Sequence, residues 1–330
     1  MNQKFIDFMR PRMSRPMAVA VSGGADSVCL LHWLYAIGVR PVVLHVNHGL
    51  RAAAAAEQEY VTRIARQMGL ACHTFYWDAA HPASNLESAA RDFRYAVMLN
   101  FCRENKIDDL LVAHHADDQI ETFLMNLARG SGVVGLAGMR AVSVRDGVNI
   151  VRPLLDTPRS ELRRYCDDNN IRYFHDEMND DNQYLRVRMR QHRHVLSDML
   201  GISDERILLA IKNLARTRDW MESSVENATA AVLRGHRAVF SDSFLFDLAP
   251  DIRLQFIASL IQKIGGGAYR PRLKSLDGAL RNLEKNCQFT LGHCIIRRLG
   301  SRILIAPEGT KTSFRTRNES KNKAKQEQGF

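Results

Sequence analysis

The sequence has no long apolar run and few cysteines. Its apolar segments fall well short of the roughly 20 residues that a membrane-spanning helix needs, so we expect no membrane span. The N-terminal residues lack the apolar core and small-residue cleavage site of a signal peptide, which favours a cytoplasmic location. The six cysteines include no Cys-x-x-Cys pair, so we expect buried thiols and no zinc centre.

The length and charge of the chain suggest two folded units and a polyanionic partner. A chain of 330 residues exceeds one compact core, and 45% hydrophobic with 25% charged residues is typical of globular proteins. The net charge of +10 favours nucleic acid as a partner. Residues 311–330 hold six Lys or Arg and two Glu, so we predict a basic, disordered tail there.

Short β-rich runs alternate with helical patterns in the first half of the chain. Strands are predicted at 17–21, 41–46, 71–77 and 109–115, and helices at 28–37, 56–68, 85–105 and 117–129. This alternation predicts an α/β fold with a parallel sheet, in which ligands bind at the carboxyl ends of the strands.

A long helix is predicted at 203–233, and it would connect two domains. We therefore predict an α/β catalytic domain over 1–215, a smaller α+β domain over 216–310 and the tail over 311–330. At 157–161 the sequence predicts a helix start with Thr157 as N-cap and Pro158 at the first helical position.

A glycine-rich loop with no lysine separates the first predicted strand from the first predicted helix. Its residues are Ser22, Gly23, Gly24, Ala25, Asp26 and Ser27. Glycines in this setting let backbone N–H groups approach an anion, and the helix dipole adds favourable potential. The loop is neither a Walker A sequence nor G-x-G-x-x-G, and a structural turn is the alternative.

This loop resembles the S-G-G-x-D-S signature of the N-type ATP pyrophosphatases, the PP-loop superfamily. The resemblance implies an adenine-nucleotide α-hydrolase-like fold and cleavage of ATP between its α- and β-phosphates. It also implies that residues 22–27 bind ATP and that Asp26 is catalytic and holds Mg²⁺.

Four further segments, at 45–51, 87–95, 112–139 and 151–162, resemble the tRNA(Ile)-lysidine synthetase family in order and spacing. The likeness extends over roughly residues 15–195. It implies that ATP adenylates the C2 oxygen of the wobble cytidine in a tRNA(Ile) with a CAU anticodon. An amine of free L-lysine then displaces AMP, which forms lysidine and converts codon specificity from AUG to AUA.

The central segment offers acidic residues suited to an ammonium substrate. Asp117 and Glu121 are four apart on one helix face, with Asp118 beside them; acidic residues satisfying a helix dipole are the alternative. His114 and His115 would point to opposite faces of a strand, which argues against one shared metal ion. With the resemblance, the lysine and cytidine pocket is predicted at His48, His115, Asp117, Asp118, Glu121 and Arg129, with Arg91 as a further catalytic residue.

A basic strip follows, in which Arg186, Arg188, Arg190 and Arg193 are predicted to bind tRNA phosphates; a solvated helix face is the alternative. Here the chain departs from the family pattern R-N-x-I/L-R, since Val187 replaces the asparagine. Further basic residues in the second domain suit tRNA backbone contacts or an ordinary surface: Arg270, Arg272, Lys274, Arg297, Arg298 and Arg302.

Two other functions were weighed. A tRNA thiolase of the same superfamily is disfavoured because the chain has neither Cys-x-x-Cys nor three clustered cysteines. The alternative that the chain is a non-catalytic protein that binds tRNA and nucleotide stays open. The sequence also leaves open whether the protein forms a homodimer.

Overall fold

The structure is a computed structural model that describes residues 1–49, 54–77, 86–174, 185–267, 271, 273–285 and 287–309. Its contacts divide the chain into two compact units, Met1–Arg216 and Thr217–Phe330. The predicted tail, Arg270, Arg272 and the side chain of Arg186 lie outside the described residues.

The first unit contains a six-stranded sheet in the order β3-β2-β1-β4-β6-β5. Its strands are β1 (Met17–Ala20), β2 (Val42–Asn47), β3 (Cys72–Tyr76), β4 (Asp109–Leu111), β5 (Val142–Arg145) and β6 (Val148–Val151). All neighbouring pairs are parallel except β5 with β6. The α/β prediction is confirmed.

Nine helices accompany this sheet in the described residues. They are α1 (Gln3–Met9), α2 (Ala25–Ala36), α3 (Ala54–Gln67), α4 (Leu86–Glu104), α5 (Ala116–Ala128), α6 (Val133–Leu136), α7 (Arg159–Asp168), α8 (Leu185–Leu200) and α9 (Asp204–Val232). The four helices predicted in the first half are confirmed to within three residues at their ends.

The sheet has a core on each face because successive strand residues point to opposite sides. Val19 and Leu111 pack with Trp33 in one hydrophobic cluster. The adjacent residues Ala18 and Leu110 belong to a second cluster. Strand β1 lies between β2 and β4, because the chain adds β2 and β3 on one side of β1 and the later strands on the other. Such a switch opens a crevice at the carboxyl ends of the strands.

The second unit is smaller and combines an antiparallel sheet with helices. Its sheet order is β7-β8-β11-β10-β9, with β7 (Leu233–Arg234), β8 (Arg237–Ser241), β9 (Phe289–Leu291), β10 (Cys294–Leu299) and β11 (Arg302–Pro307). The helices are α10 (Asp242–Phe246), α11 (Pro250–Gly265) and α12 (Leu273–Glu284). Phe240, Phe256 and Ile305 are in its buried core. The α+β class is confirmed.

The cysteines are less uniformly buried than predicted. Four of them, Cys29, Cys102, Cys166 and Cys294, are buried, but Cys72 is intermediate and Cys287 is exposed. Cys287 lies beyond the end of α12, where the chain leaves its packed helix. Within the described residues, no helix is both long and apolar enough to span a membrane.

Candidate active site

The glycine-rich loop connects β1 to α2 and is braced by its own serines. Helix α2 begins at Ala25, which places Asp26 in its first turn. The Ser27 hydroxyl donates to the Gly24 carbonyl at 3.0 Å and accepts the Ser22 N–H at 3.1 Å. Gly23 has φ +97°, a conformation that favours glycine. The loop thus holds backbone N–H groups at a helix N-terminus, as an anion site requires.

A cavity of about 470 Å³ opens beside this loop. The Phe174 N–H donates to the Gly23 carbonyl at 3.0 Å, so the segment after α7 closes one side of it. The lining brings together residues from both halves of the first unit, among them Ser22, Asp26, His48, Arg91, His114, Arg159, Arg163, Phe174 and Arg190.

His115 connects the loop to the acidic residues of α5. It precedes α5 and is buried, with Nε2 3.5 Å from Asp26 Oδ2 and 3.5 Å from Asp118 Oδ2. Its Nδ1 is 3.7 Å from Asp117 Oδ2. Burial alone would lower the pKa of His115, but the three carboxylates outweigh it and hold the pKa above its ordinary value. This histidine therefore favours the protonated form.

Strand β4 ends at Leu111, earlier than predicted, so neither histidine lies on a strand. His114 lines the cavity and His115 lies against Asp26. The opposite-face argument consequently does not apply to them. In the described part of the chain, no group of three or more His, Cys, Asp or Glu residues is arranged to hold a metal ion.

Asp117 joins three helices. Its Oδ2 accepts the backbone N–H of Arg159 at 2.8 Å, and its Oδ1 accepts Arg193 Nη2 at 2.7 Å. Burial alone would raise the pKa of Asp117, but these two donors dominate and lower it. Asp117 is thus an ionised cap at the start of α7. The predicted cap, Thr157, instead is buried and accepts a hydrogen bond from Asn2 at 3.2 Å.

The arginines of α8 meet the same acidic residues. Arg190 Nε lies 2.7 Å from Glu121 Oε1, and Glu121 is only 1% exposed. Arg193 contacts Asp117 and, at 3.1 Å, Asp204. Arg188, by contrast, is exposed. Two of the four arginines predicted to bind tRNA therefore face carboxylates of the candidate site.

Arg91 and His48 each pack against an aromatic ring. Arg91 is exposed on α4, and its guanidinium carbon is 5.2 Å from the centre of the Tyr95 ring. The His48 ring packs edge-on against Trp77, with 5.6 Å between ring centres. Both residues line the cavity.

Arg129 lies apart from the other predicted pocket residues. It caps the C-terminus of α5 and is exposed, whereas Asp117 and Asp118 are in the first turn. Twelve residues of helix separate Asp117 from Arg129, which amounts to about 18 Å. The glycine-rich segment after Arg129 is held by Gln119, which accepts the Met139 N–H at 2.7 Å and donates to the Met139 carbonyl at 2.9 Å.

Asp26 is the residue best suited to hold Mg²⁺. Its Oδ1 is buried and has no hydrogen-bond partner in the described structure, while Oδ2 is 3.7 Å from Arg159 Nε. Mg²⁺ commonly binds one or two carboxylates together with substrate phosphates and water. A single free carboxylate oxygen beside a phosphate-binding loop fits that requirement.

Sequence reasoning assigned no role to α7, whose Arg159 and Arg163 also line the cavity. Residues 151–162 had been recognised as a family-like segment, which was a usable signal. The direction of the side chains could not be obtained from it, because the helix starts one residue later than predicted.

The fold and the loop geometry define a PP-loop protein, and residues 1–196 match the family model of the PP-loop domain. A tRNA(Ile)-lysidine synthase of Wolbachia pipientis wMel is 34% identical over 310 residues, covering 89% of this chain and 71% of that protein. Its counterpart in Ruegeria pomeroyi is 34% identical over 316 residues, covering 93% and 75%. This chain belongs to the tRNA(Ile)-lysidine synthase family, and its PP-loop domain implies the use of ATP.

A solved structure supports the fold alone. The U34-tRNA thiolase of Methanococcus maripaludis aligns with a TM-score of 0.56 at 18% identity, covering 65% of this chain and 78% of that one.

Proposed function

We propose that this chain forms lysidine on tRNA(Ile) in two steps that together consume one ATP. In the first, the C2 oxygen of the wobble cytidine attacks the α-phosphorus of ATP and pyrophosphate leaves. In the second, an amine of L-lysine attacks C2 and AMP leaves. The observation that carries the proposal is the contact of Asp26, in the ATP loop, with His115, which precedes the acidic helix α5.

ATP would bind with its phosphates on residues 22–27. The backbone donors of this loop and the N-terminus of α2 suit an anion, and they stabilise the charge that develops on the leaving pyrophosphate. Mg²⁺ on Asp26 would add to that stabilisation. Arg91, on α4 across the cavity, is proposed to contact the reacting groups through its fork of donors.

L-Lysine and the cytidine would bind at His48, His115, Asp117, Asp118, Glu121 and Arg129. Within this set Asp118 and Glu121 lie on α5, and Glu121 is buried against Arg190. A buried carboxylate attracts an ammonium strongly because the local dielectric is low. Lysine binding at Glu121 would therefore require Arg190 to share or release this carboxylate.

The tRNA would contact the basic residues of α8 and of the second unit. Arg188 is exposed and suits a phosphate contact. Arg186, Arg190 and Arg193 belong to the same proposed strip, with two of them anchored to carboxylates in this structure. Phosphate contacts of this kind weaken as salt rises.

The direct test supplies the full chain with ATP, Mg²⁺, labelled L-lysine and unmodified tRNA bearing a CAU anticodon. We expect label in the tRNA and one AMP released per lysine joined. The control is the same tRNA with guanosine at the wobble position, which has no C2 oxygen and should stay unlabelled. Binding of ATP and tRNA without transfer of label would instead indicate a non-catalytic relative.

A variant separates activation from tRNA binding. Asp26→Asn should abolish adenylation of the tRNA while leaving tRNA affinity within about twofold, because Asp26 belongs to the nucleotide loop and is not one of the arginines proposed to bind tRNA phosphates. Adenylation near the normal rate would show that Asp26 is not the metal or reaction-centre residue.

A further inference from the structure

Two arginines of α7 line the cavity beside the ATP loop. Arg159 and Arg163 are four residues apart, and so lie on one face of the helix. Both line the cavity together with Ser22 and Asp26. Arg164, their neighbour on the same helix, is exposed and does not line it.

The loop itself supplies no positive side chain. Residues 22–27 contain no lysine or arginine. A triphosphate carries several negative charges, and a leaving pyrophosphate gains more, so backbone donors and one metal ion leave much of that charge unbalanced. Guanidinium groups suit this task because their forked donors match phosphate oxygens and stay charged.

Both arginines hold donors in reserve. The Nε atoms of Arg159 and Arg163 are buried and have no hydrogen-bond partner among the described residues. Unpaired buried donors are costly and uncommon in folded proteins, and a bound ligand is one way to satisfy them. Arg159 Nε lies 3.7 Å from Asp26 Oδ2, which is too far for a hydrogen bond.

The position of α7 relative to the loop is fixed from both ends. At its start, Asp117 accepts the Arg159 N–H. Beyond its end, Phe174 pairs with Gly24 as a parallel β-bridge and donates to Gly23. The arginines therefore face the loop on a rigid support, as an electrostatic binding site requires.

Neighbouring charges agree with an anion site. Burial is the main cause that lowers the pKa of Arg159, and the nearby cations Arg163 and Arg190 lower it further, while Asp26 acts against them. Three guanidinium groups thus lie close enough to repel one another. A polyanion between them would relieve that repulsion.

We propose that Arg159 and Arg163 bind the β- and γ-phosphates of ATP and the pyrophosphate released from it. They supply the cationic groups that the loop lacks. This inference rests on the proposed use of ATP but not on lysine transfer or tRNA binding.

The test measures the affinity of the full chain for three ligands by calorimetry: ATP with Mg²⁺, pyrophosphate with Mg²⁺, and AMP. We expect Arg159→Gln and Arg163→Gln each to weaken ATP and pyrophosphate about 10- to 100-fold, as for loss of a charged hydrogen bond. AMP should stay within about twofold, because it has no β- or γ-phosphate. Arg164→Gln, the matched control, should leave all three within about twofold.

Two results would overturn the proposal. One is ATP affinity within about twofold of wild type in both cavity-facing variants. The other is an equal loss for AMP and ATP, which would show that the arginines only support the fold of the loop. If Arg159→Gln fails to fold, Arg163→Gln decides alone. If both variants weaken ATP and pyrophosphate as expected but the wild-type chain transfers no lysine to tRNA, the proposed function is refuted and this inference stands.

Discussion

Replacing Asp117 by asparagine should destabilise the first unit and reveal the contribution of one half-buried carboxylate. Its two oxygens accept the Arg159 N–H at 2.8 Å and Arg193 Nη2 at 2.7 Å. Asparagine keeps one acceptor and turns an NH₂ group toward the other donor. Losing a charged hydrogen bond costs about 1.5–3 kcal/mol and weakening an N-cap about 0.5–2 kcal/mol. We therefore expect a loss of about 3 kcal/mol.

Differential scanning calorimetry of the full chain would measure this loss. For units of 150–250 residues, about 3 kcal/mol lowers the melting midpoint by about 6–12 °C. Asp168→Asn is the control, since Asp168 is an exposed residue at the far end of α7, the helix that Asp117 caps, and its replacement should cost less than about 0.5 kcal/mol. A midpoint within about 1 °C of wild type for Asp117→Asn would refute the reasoning.

The effect should also depend on pH with a definite sign. The pKa of Asp117 is lowered in the folded state, so its ionised form stabilises the fold above the ordinary pKa of about 3.9. This contribution is lost as pH falls through the lowered pKa. The stability difference between wild type and Asp117→Asn should be constant from about pH 7 to 5 and shrink below about pH 4. A constant difference in acid would contradict the ion-pair explanation.

Three further predictions concern other parts of the first unit. Gly138→Ala should lower the free energy of unfolding, measured in urea, by about 2–3 kcal/mol, because φ is +65° and the new Cβ would lie 2.6 Å from Gln119 Oε1. The control Gly147→Ala, at φ +80° with open space around it, should lower it by only about 1 kcal/mol. Equal losses in the two variants would contradict the steric explanation. The pKa of His115 is raised in the folded state, so protonated His115 should stabilise the fold fully below about pH 6.5 and less as pH rises through the folded-state pKa. The difference in the free energy of unfolding between wild type and His115→Gln should therefore decrease as pH rises. A difference that increases with pH would contradict this assignment. Arg188→Glu should weaken tRNA binding and reduce the slope of log affinity against log salt by about 1, and an unchanged slope would remove this residue from the tRNA contact.

The elements of the fold were predictable because their signals are local. Hydrophobic periodicity within a short window distinguishes a strand from a helix, and the four predicted helices of the first half are present. Strand ends were predicted less well. Residues 109–115 were predicted as one strand, but β4 ends at Leu111; beyond it Val112 donates to the Val151 carbonyl and His115 forms an isolated β-bridge with Leu154.

The candidate site was predictable only where its residues are close in sequence. Residues 22–27 form one loop, and Asp117, Asp118 and Glu121 share one helix. Arg129 was predicted in the same pocket, and the length of α5 places it at the opposite end of the helix from Asp117. Contacts between distant segments gave no sequence signal: Asp117 caps Arg159 from 42 residues away, and Arg190 reaches Glu121 from 69 residues away.

The sequence by itself determined the class of fold, the phosphate-binding loop and the acidic helix, because each depends on neighbouring residues and on backbone geometry. Only the tertiary structure decided which charges meet. The strand order β2-β1-β4 opens the crevice beside the loop, and the packing of α7 and α8 brings arginines to it. The loop has no cation of its own, and a helix more than 130 residues further along the chain presents Arg159 and Arg163 to the same cavity.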